Sequence, residues 1–478
     1  MFNKIVRKIR AGNATHRPQF LSEKLSLPVS HNQAFARLNE LAPLASETPP
    51  AITPELADNL LLRTGSASQS IVCRETILGQ DQRVAGYAFM LRHRVNERVR
   101  DSSTNIRGLY DEVLLLNLQA MQIQRLLEHR MAFITLSASS IFLPIVEQLP
   151  AEGTVYVVGS NEGFNSDIET TINRLSSLKT LGYRLALHGS GIDRVELAGI
   201  VSLADFVILD IGNSDIPSIR LQIEFSERLA PHIQFVATNI PTREDFNVCM
   251  KLPFSLFHGS FITRREEWNN RCLDAARIRT MMLLNKLRKD VELDELSALI
   301  RQDPALVVRL MRYANSPGIG LLQKAGTIDQ ALMVLGRQQL YRWATLLLFT
   351  GGESNDFMRP LLENALIRAR LAELLAQDKL VSNEREELFL AGMISLMDVL
   401  LGVPMEAVLK QLGLPRVFEE TLLGQNGALA PFLNLAIACE RHDAGNIHAL
   451  SSAIGLDEKT VNKLHIEAMV WAQQSMEN

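Results

Sequence analysis

The sequence predicts two folds in one chain, an α/β barrel of eight strands followed by an all-α half. Three observations carry that reading. Eight short β-rich runs begin near Ile71 with helical patterns between most of them, the β signals stop after Arg264-Arg-Glu-Glu-Trp268, and helix then follows helix toward the C-terminus. The expected organisation is an N-terminal extension and linker over 1–68, a (β/α)₈-type barrel over 69–266 and an all-α domain with a C-terminal helix over 267–478. A length of 478 residues also exceeds what one ordinary core supports.

Taken in order, the stretch Met1 to Arg10 puts Phe2, Ile5, Val6 and Ile9 at helical spacing, with Lys4, Arg7, Lys8 and Arg10 elsewhere on the wheel. Weak contact of residues 1–12 with an anionic membrane surface is one reading of it, and a frayed or docked terminus is the other. Residues 13–68, with Glu47-Thr-Pro-Pro-Ala-Ile-Thr-Pro54, read as a partly ordered linker. The strand candidates are Ile71 to Leu78, Val84 to Arg92, Ala132 to Ser137, Thr154 to Val158, Arg184 to Leu187, Asp205 to Leu209, Ile233 to Ala237 and Ser255 to Phe261. Gly79 to Arg83 is long enough for a hairpin and too short for a helical crossover, so the first strand is expected to run antiparallel.

In the helical half, Leu293, Leu296, Leu299 and Ile300 line one helix. The next has marked ends: Asp303 as N-cap, Pro304 at the first helical position, an apolar face of Leu306, Val307, Leu310, Met311 and Ala314, and a stop at Asn315-Ser316-Pro-Gly318. Thr327 and Gln330 form a capping box for a helix that Gly336 breaks or caps. Leu361 to Ala376, Glu384 to Leu401, Met405 to Leu412, Ala428 to Glu440 and Leu450 to Gln473 complete the set.

Composition bounds the function. With 47% hydrophobic and 21% charged residues the chain reads as soluble and globular. A net charge of -4 gives no global attraction to nucleic acid, and none is expected as a partner. Cys73, Cys249, Cys272 and Cys439 are scattered, without metal-ligand spacing, which fits a reducing cytoplasm and no metal or other cofactor. No run reaches the ~18 apolar residues of a membrane span.

The helical half resembles the HDOD domain, a signalling module related to HD phosphohydrolases without their metal site. The resemblance rests on Glu295-Leu-Ser-Ala-Leu-Ile-Arg-Gln-Asp-Pro-Ala-Leu306, Leu310-Met-Arg-Tyr-Ala-Asn-Ser316 and Ile328-Asp-Gln-Ala-Leu-Met-Val-Leu-Gly336. The preceding half resembles the EAL domain of cyclic di-GMP phosphodiesterases, in the divergent form found in EAL-HDOD signal-transduction proteins. Together they span about residues 70 to 450.

An active EAL barrel needs acidic and amide ligands at the C-terminal ends of its strands, to hold two divalent cations against the phosphodiester. On that resemblance the ligand Glu falls at Ala88, in Gly86-Tyr-Ala-Phe-Met-Leu-Arg92, and the Asn at Thr135. The paired Glu positions fall at Gly159 and Glu162. The Asp-Asp pair is lost in Ala186-Leu-His188-Gly189-Ser-Gly191. Asp205 and Asp210 remain, but the Lys between them is Ile208. The next acidic run becomes Ala237-Thr238-Asn-Ile-Pro241, and the closing Gln-Gly becomes His258-Gly259. In the helical half the His-Asp pair falls at Ser395-Leu396.

Methyl, hydrogen and isobutyl groups donate no lone pair, so no catalytic residue and no metal ligand is expected. Arg92 is retained as a weak candidate phosphate contact, or as a rim salt bridge. His188 and His258 are expected near the mouth as hydrogen-bonded loop residues. The function expected is a non-catalytic scaffold in cyclic di-GMP, motility or stress signalling. It would bind protein partners through the HDOD half and form a homodimer through, or be presented by, the barrel. The alternatives are a non-hydrolysing cyclic di-GMP receptor and, last, a residual phosphodiesterase. The expected location is cytoplasmic, with a peripheral position at the inner membrane surface as an option. The runs Leu346 to Phe349 and Met393 to Met397 are weighed as adaptable surface against core, with core preferred.

Overall fold

A computed structural model gives the fold. It describes residues 70–91, 104–159, 168–189, 192, 197–214, 216–264, 275–289, 291–315, 324–350, 358–412, 414–424, 426–440 and 447–477. Residues 1–12, Arg92, Glu162 and Ser316 lie outside these, so the expectations placed on them do too.

Eight strands close into a barrel in chain order. They are β1 (Val72–Gly79), β2 (Val84–Leu91), β3 (Met131–Leu136), β4 (Thr154–Val158), β5 (Arg184–His188), β6 (Phe206–Asp210), β7 (Gln234–Thr238) and β8 (Phe254–His258). β1 is antiparallel to both neighbours and the remaining pairs are parallel, as the short β1–β2 connection requires. The hairpin turn closes with Gly79 N–H donating to Arg83 O at 2.9 Å, while Gln82 takes the positive φ of 57°. The lumen is packed rather than open. Ile77, Phe133, Val155, Val157, Ala186, Phe206, Val236 and Leu256 form one buried cluster, with Ala88 and Ile208 against it.

The helices between strands include α1 (Thr104–Ala120), α2 (Ile168–Thr180), α3 (Ile216–Leu229) and α4 (Arg243–Cys249). The helical unit contains α5 (Ala275–Arg288), α6 (Leu293–Arg301), α7 (Pro304–Ala314), α8 (Ile328–Thr350), α9 (Met358–Leu375) and α10 (Ser382–Ile394). It ends differently from the expected 267–478. Residues 437–470 group with the barrel, and the helical unit is 263–436 with 471–478. Within the barrel unit, Asn462 and His465 satisfy buried groups on β1.

The marked helix forms as its sequence dictates. Asp303 is extended, with φ -127° and ψ 101°, and its Oδ1 accepts from Ala305 and Leu306 N–H, with Pro304 at the first position. Leu306, Leu310 and Ala314 are buried. Val307 and Met311 are only half-buried, so the core stripe is narrower than the expected face. The capping box is modified. Thr327 Oγ1 accepts from Gln330 N–H, but Gln330 Oε1 accepts from Gly326 rather than from Thr327. Gly336, at φ 64° and ψ 172°, breaks α8. Met393 to Met397 is core, with Met393, Leu396 and Met397 at 0% exposure.

Candidate functional site

The C-terminal ends of β2 to β8 define the barrel mouth, where a phosphodiesterase of this architecture would do its chemistry. Lumen-facing positions alternate along each strand, so the residues sharing a face with the core cluster can be followed upward. Ala88 is reached on β2, Thr135 on β3, His188 on β5, Asp210 on β6, Thr238 on β7 and His258 on β8, with Gly159 just past β4.

What these positions offer is not a metal ring. Ala88 contributes a methyl packed on the lumen cluster, and Ile208 does the same with a larger side chain. A Cβ at Gly159 would meet nothing within 4 Å, so that position is open. Gly189 is buried, and a Cβ there would lie 2.4 Å from Leu209 Cδ2, so any side chain at this position requires Leu209 to shift. Asp210 is at the mouth, but amide groups already feed both oxygens: Oδ1 accepts from Asn213 N–H at 3.0 Å, and Oδ2 accepts from Asn213 Nδ2 at 2.9 Å and Asn239 Nδ2 at 2.7 Å.

Asp205 is corrected by position. It precedes β6, five residues before Asp210, which along a strand is about 16 Å. There its Oδ1 pairs with Lys179 Nζ at 2.5 Å and its Oδ2 accepts from Leu185 N–H at 2.8 Å, at the opposite end of the barrel. Among the described residues no group of three or more His, Cys, Asp or Glu is placed to hold a metal. At the mouth, Ala88, Gly159 and Ile208 offer no side-chain donor for the two cations that a phosphodiesterase would hold.

The mouth instead contains a chain of polar contacts that its sequence did not announce. Glu75 on β1 is paired with Ala88 across the hairpin, so a carboxylate stands beside the position where the resemblance expects one. Its Oε2 lies 2.6 Å from His258 Nε2, and His258 Nδ1 lies 2.8 Å from Thr238 Oγ1. The Glu75 contact meets the ion-pair distance but not the alignment of a hydrogen bond, since Nε2 has no properly directed acceptor. Just beyond, Pro241 O accepts from Ser260 Oγ at 3.4 Å. Gly259 lies so near Ile240 that a Cβ would sit 2.3 Å from its carbonyl oxygen.

The helical unit is filled at the matching place. Ser395 Oγ donates to Gly392 O at 2.6 Å and accepts from Arg368 Nη1 at 2.7 Å, with Arg368 2% exposed and Leu396 fully buried. The Arg368 guanidinium and the Leu396 isobutyl group fill this part of the unit. Gly392 lets α9 and α10 close up, because a Cβ would sit 2.4 Å from Ala369 Cα.

The signature residues are structural. Burial pushes the Asp303 carboxyl up, but Arg279 and the N–H groups of Leu306 and Ala305 outweigh it and hold it below its usual range. Arg279 Nε donates to Asp303 Oδ2 at 2.8 Å. Asn315 Oδ1 accepts from Ala325 N–H at 2.7 Å and its Nδ2 donates to Ala325 O at 3.0 Å, fixing the lead into α8. A cavity of about 170 Å³, lined by Arg337, Tyr341, Arg342, Glu386 and neighbours, opens beside the Gly336 break.

The closed barrel with its antiparallel first strand is followed by a helical module that contains an HDOD domain. Residues 276–409 match the family model of the HDOD domain. The Bacillus subtilis (strain 168) protein YuxH, described as uncharacterized, is 25% identical over 419 residues, which cover 85% of this chain and 98% of that one. The cyclic di-GMP phosphodiesterase CdgJ of Vibrio cholerae is 27% identical over 241 residues, 50% of this chain and 56% of that protein. Among solved structures, the Bacillus subtilis YkuI protein, with an EAL domain in complex with c-di-GMP and calcium, superposes with a TM-score of 0.35 at 12% identity. That match covers 56% of this chain and 71% of that one. No single helix among the described residues is long and apolar enough to cross a membrane.

Proposed function

We propose that this chain is a non-catalytic scaffold of cyclic di-GMP, motility or stress signalling, binding protein partners through its HDOD module. The observation that carries the reading is the mouth. The barrel closes while Ala88, Gly159 and Gly189 stand where the resemblance puts ligands and Ile208 where it puts the Lys, and Asp210 is engaged by amides. So small a number of donors among the described residues supports the absence of a site for two divalent cations.

Partner binding is supported by apolar side chains left in water on the helical unit. Val308 is 58% and Met333 68% exposed, and Ile278, Met282 and Val334 are exposed as well. Self-association through the barrel is supported by α3, where Ser226 alone is buried among the described residues and Leu221 is 63% exposed. The test is affinity capture from the native cell with the full chain, beside Val308→Glu and Met333→Glu. A discrete set of proteins retained by the parent and lost by variants of unchanged melting is expected. Capture of nothing beyond background by the parent overturns the reading.

The second reading is a receptor that binds cyclic di-GMP without cleaving it, favoured by the likeness to CdgJ and by the polar Glu75, His258, Thr238 and Asp210 set at the mouth. Calorimetry at tens of micromolar protein separates the two. Absence of both heat and thermal shift removes the receptor.

A further inference from the structure

β1 pairs with β2 over nearly its whole length but with β8 only through Ile77, Leu78 and Gly79. Toward the mouth, past Ile77, the other edge of β1 has no strand beside it among the described residues, yet Val72 is fully buried. A buried backbone donor without an acceptor costs as much as a lost hydrogen bond. The Asn462 side chain supplies what a strand would. Its Oδ1 accepts from Val72 N–H at 2.9 Å, and its Nδ2 donates to Ser70 O at 3.0 Å. These are the two bonds that one residue of a parallel neighbour makes to the groups flanking the residue opposite, here Ile71. The same Nδ2 reaches Asn117 Oδ1 on α1 at 3.1 Å, which fixes the amide's orientation.

The contact continues along the strand. Cys73 Sγ donates to Ala438 O at 3.7 Å, and the buried Arg74 donates from Nε to His465 Nε2 at 3.2 Å. Arg74 also lies over the Tyr87 ring at 5.1 Å. Arg74 and Glu75 are consecutive, so their side chains leave opposite faces of one strand. Glu75 reaches His258, which is also the β8 residue paired with Ile77 at the end of the ladder. The outer contact through Asn462 and His465 and the inner contact through Glu75 therefore close one seam from its two sides.

We propose that residues 437–440 and 447–470 act as a strap that closes the β1–β8 seam, and that its docking holds Glu75 within reach of His258, so that the state of the strap is read at the barrel mouth. A protein that bound the strap and a ligand that engaged Glu75 or His258 would bias the same short stretch of β1. Their effects would be reciprocal, as linkage requires. This inference does not rest on the scaffold reading, because it concerns how the seam is held and not what the chain binds.

The experiment uses the full chain with labelled histidines. Asn462→Ala removes both pseudo-strand bonds. The expected result is unchanged helix content, a rate of Cys73 alkylation raised roughly tenfold, as loss of buried backbone bonds predicts, and His258 ring signals moved toward those of Glu75→Gln. Faster Cys73 alkylation with unmoved His258 signals overturns the coupling. No change in either overturns the strap. If Asn462→Ala is not recovered folded, Asn462→Asp keeps the acceptor for Val72 and removes the donor to Ser70, and the same two readouts decide in the same way.

Discussion

Replacing Asp303 with Ala should destabilise the helical unit by about 2 kcal/mol, the sum of two separable losses. One is the N-cap, in which Oδ1 serves Ala305 and Leu306, and such caps are worth about 1 kcal/mol. The other is the charge-assisted bond from Arg279, whose partner carboxylate is 10% exposed while the guanidinium is 39% exposed. That exposure holds its contribution to about 1 kcal/mol. Asp303→Asn separates them, since Asn caps as well as Asp but carries no charge; it should cost only about 1 kcal/mol. The pH dependence has a definite sign. Asp303 is held below its ordinary value in the folded state, so its stabilisation is complete above the unfolded value of 3.8 and is lost as pH falls through the folded one. Thermal unfolding at pH 7 should place Asp303→Ala about 4–8 °C below the parent if the helical unit melts as one domain of its size. Equal melting of Asp303→Asn and Asp303→Ala would refute the division into cap and charge. An unchanged melting point in both would refute the structural role altogether.

Three further outcomes follow from single sites. Burial, opposed by bonds from Ser137 and Ser140, raises the Asp111 carboxyl from 3.8 to about 6, so the folded state binds the extra proton. Stability should fall by up to about 3 kcal/mol as pH rises from 4 to 6, and this slope should vanish in Asp111→Asn, read by urea unfolding across that range. Gly392→Val should cost about 1–3 kcal/mol or more in denaturant titration, because α9 and α10 touch at Ala369. Ser395→Ala should cost about 1–3 kcal/mol, since it leaves the buried Arg368 Nη1 without that acceptor; an unchanged midpoint would show that other groups satisfy Arg368 fully.

Much of the architecture was legible because it is local. The Gly79 to Arg83 spacing gave the antiparallel first strand, and Asp303-Pro304 gave a helix start that the structure places at the same residues. The mouth was less legible. Asp205 and Asp210 look equivalent in a row of letters, but a five-residue strand separates its two ends by most of the height of the barrel. Glu75 was missed because it stands on the strand beside the one where a carboxylate was sought. The available signal was Arg74-Glu75, two charges inside an otherwise apolar strand, which alternation sends to opposite faces. The C-terminal segment was assigned to the helical half because nothing within it points elsewhere. Its partner Val72 lies 390 positions away, and only the folded chain brings Asn462 to it.

The proposal that the barrel carries out no phosphodiester chemistry is tested most directly by incubation with cyclic di-GMP. The purified full chain should be supplied with Mg²⁺ or Mn²⁺ and the products separated by chromatography. The account predicts no linear dinucleotide above a mock purification. Metal-dependent conversion that tracks the protein through purification would contradict it.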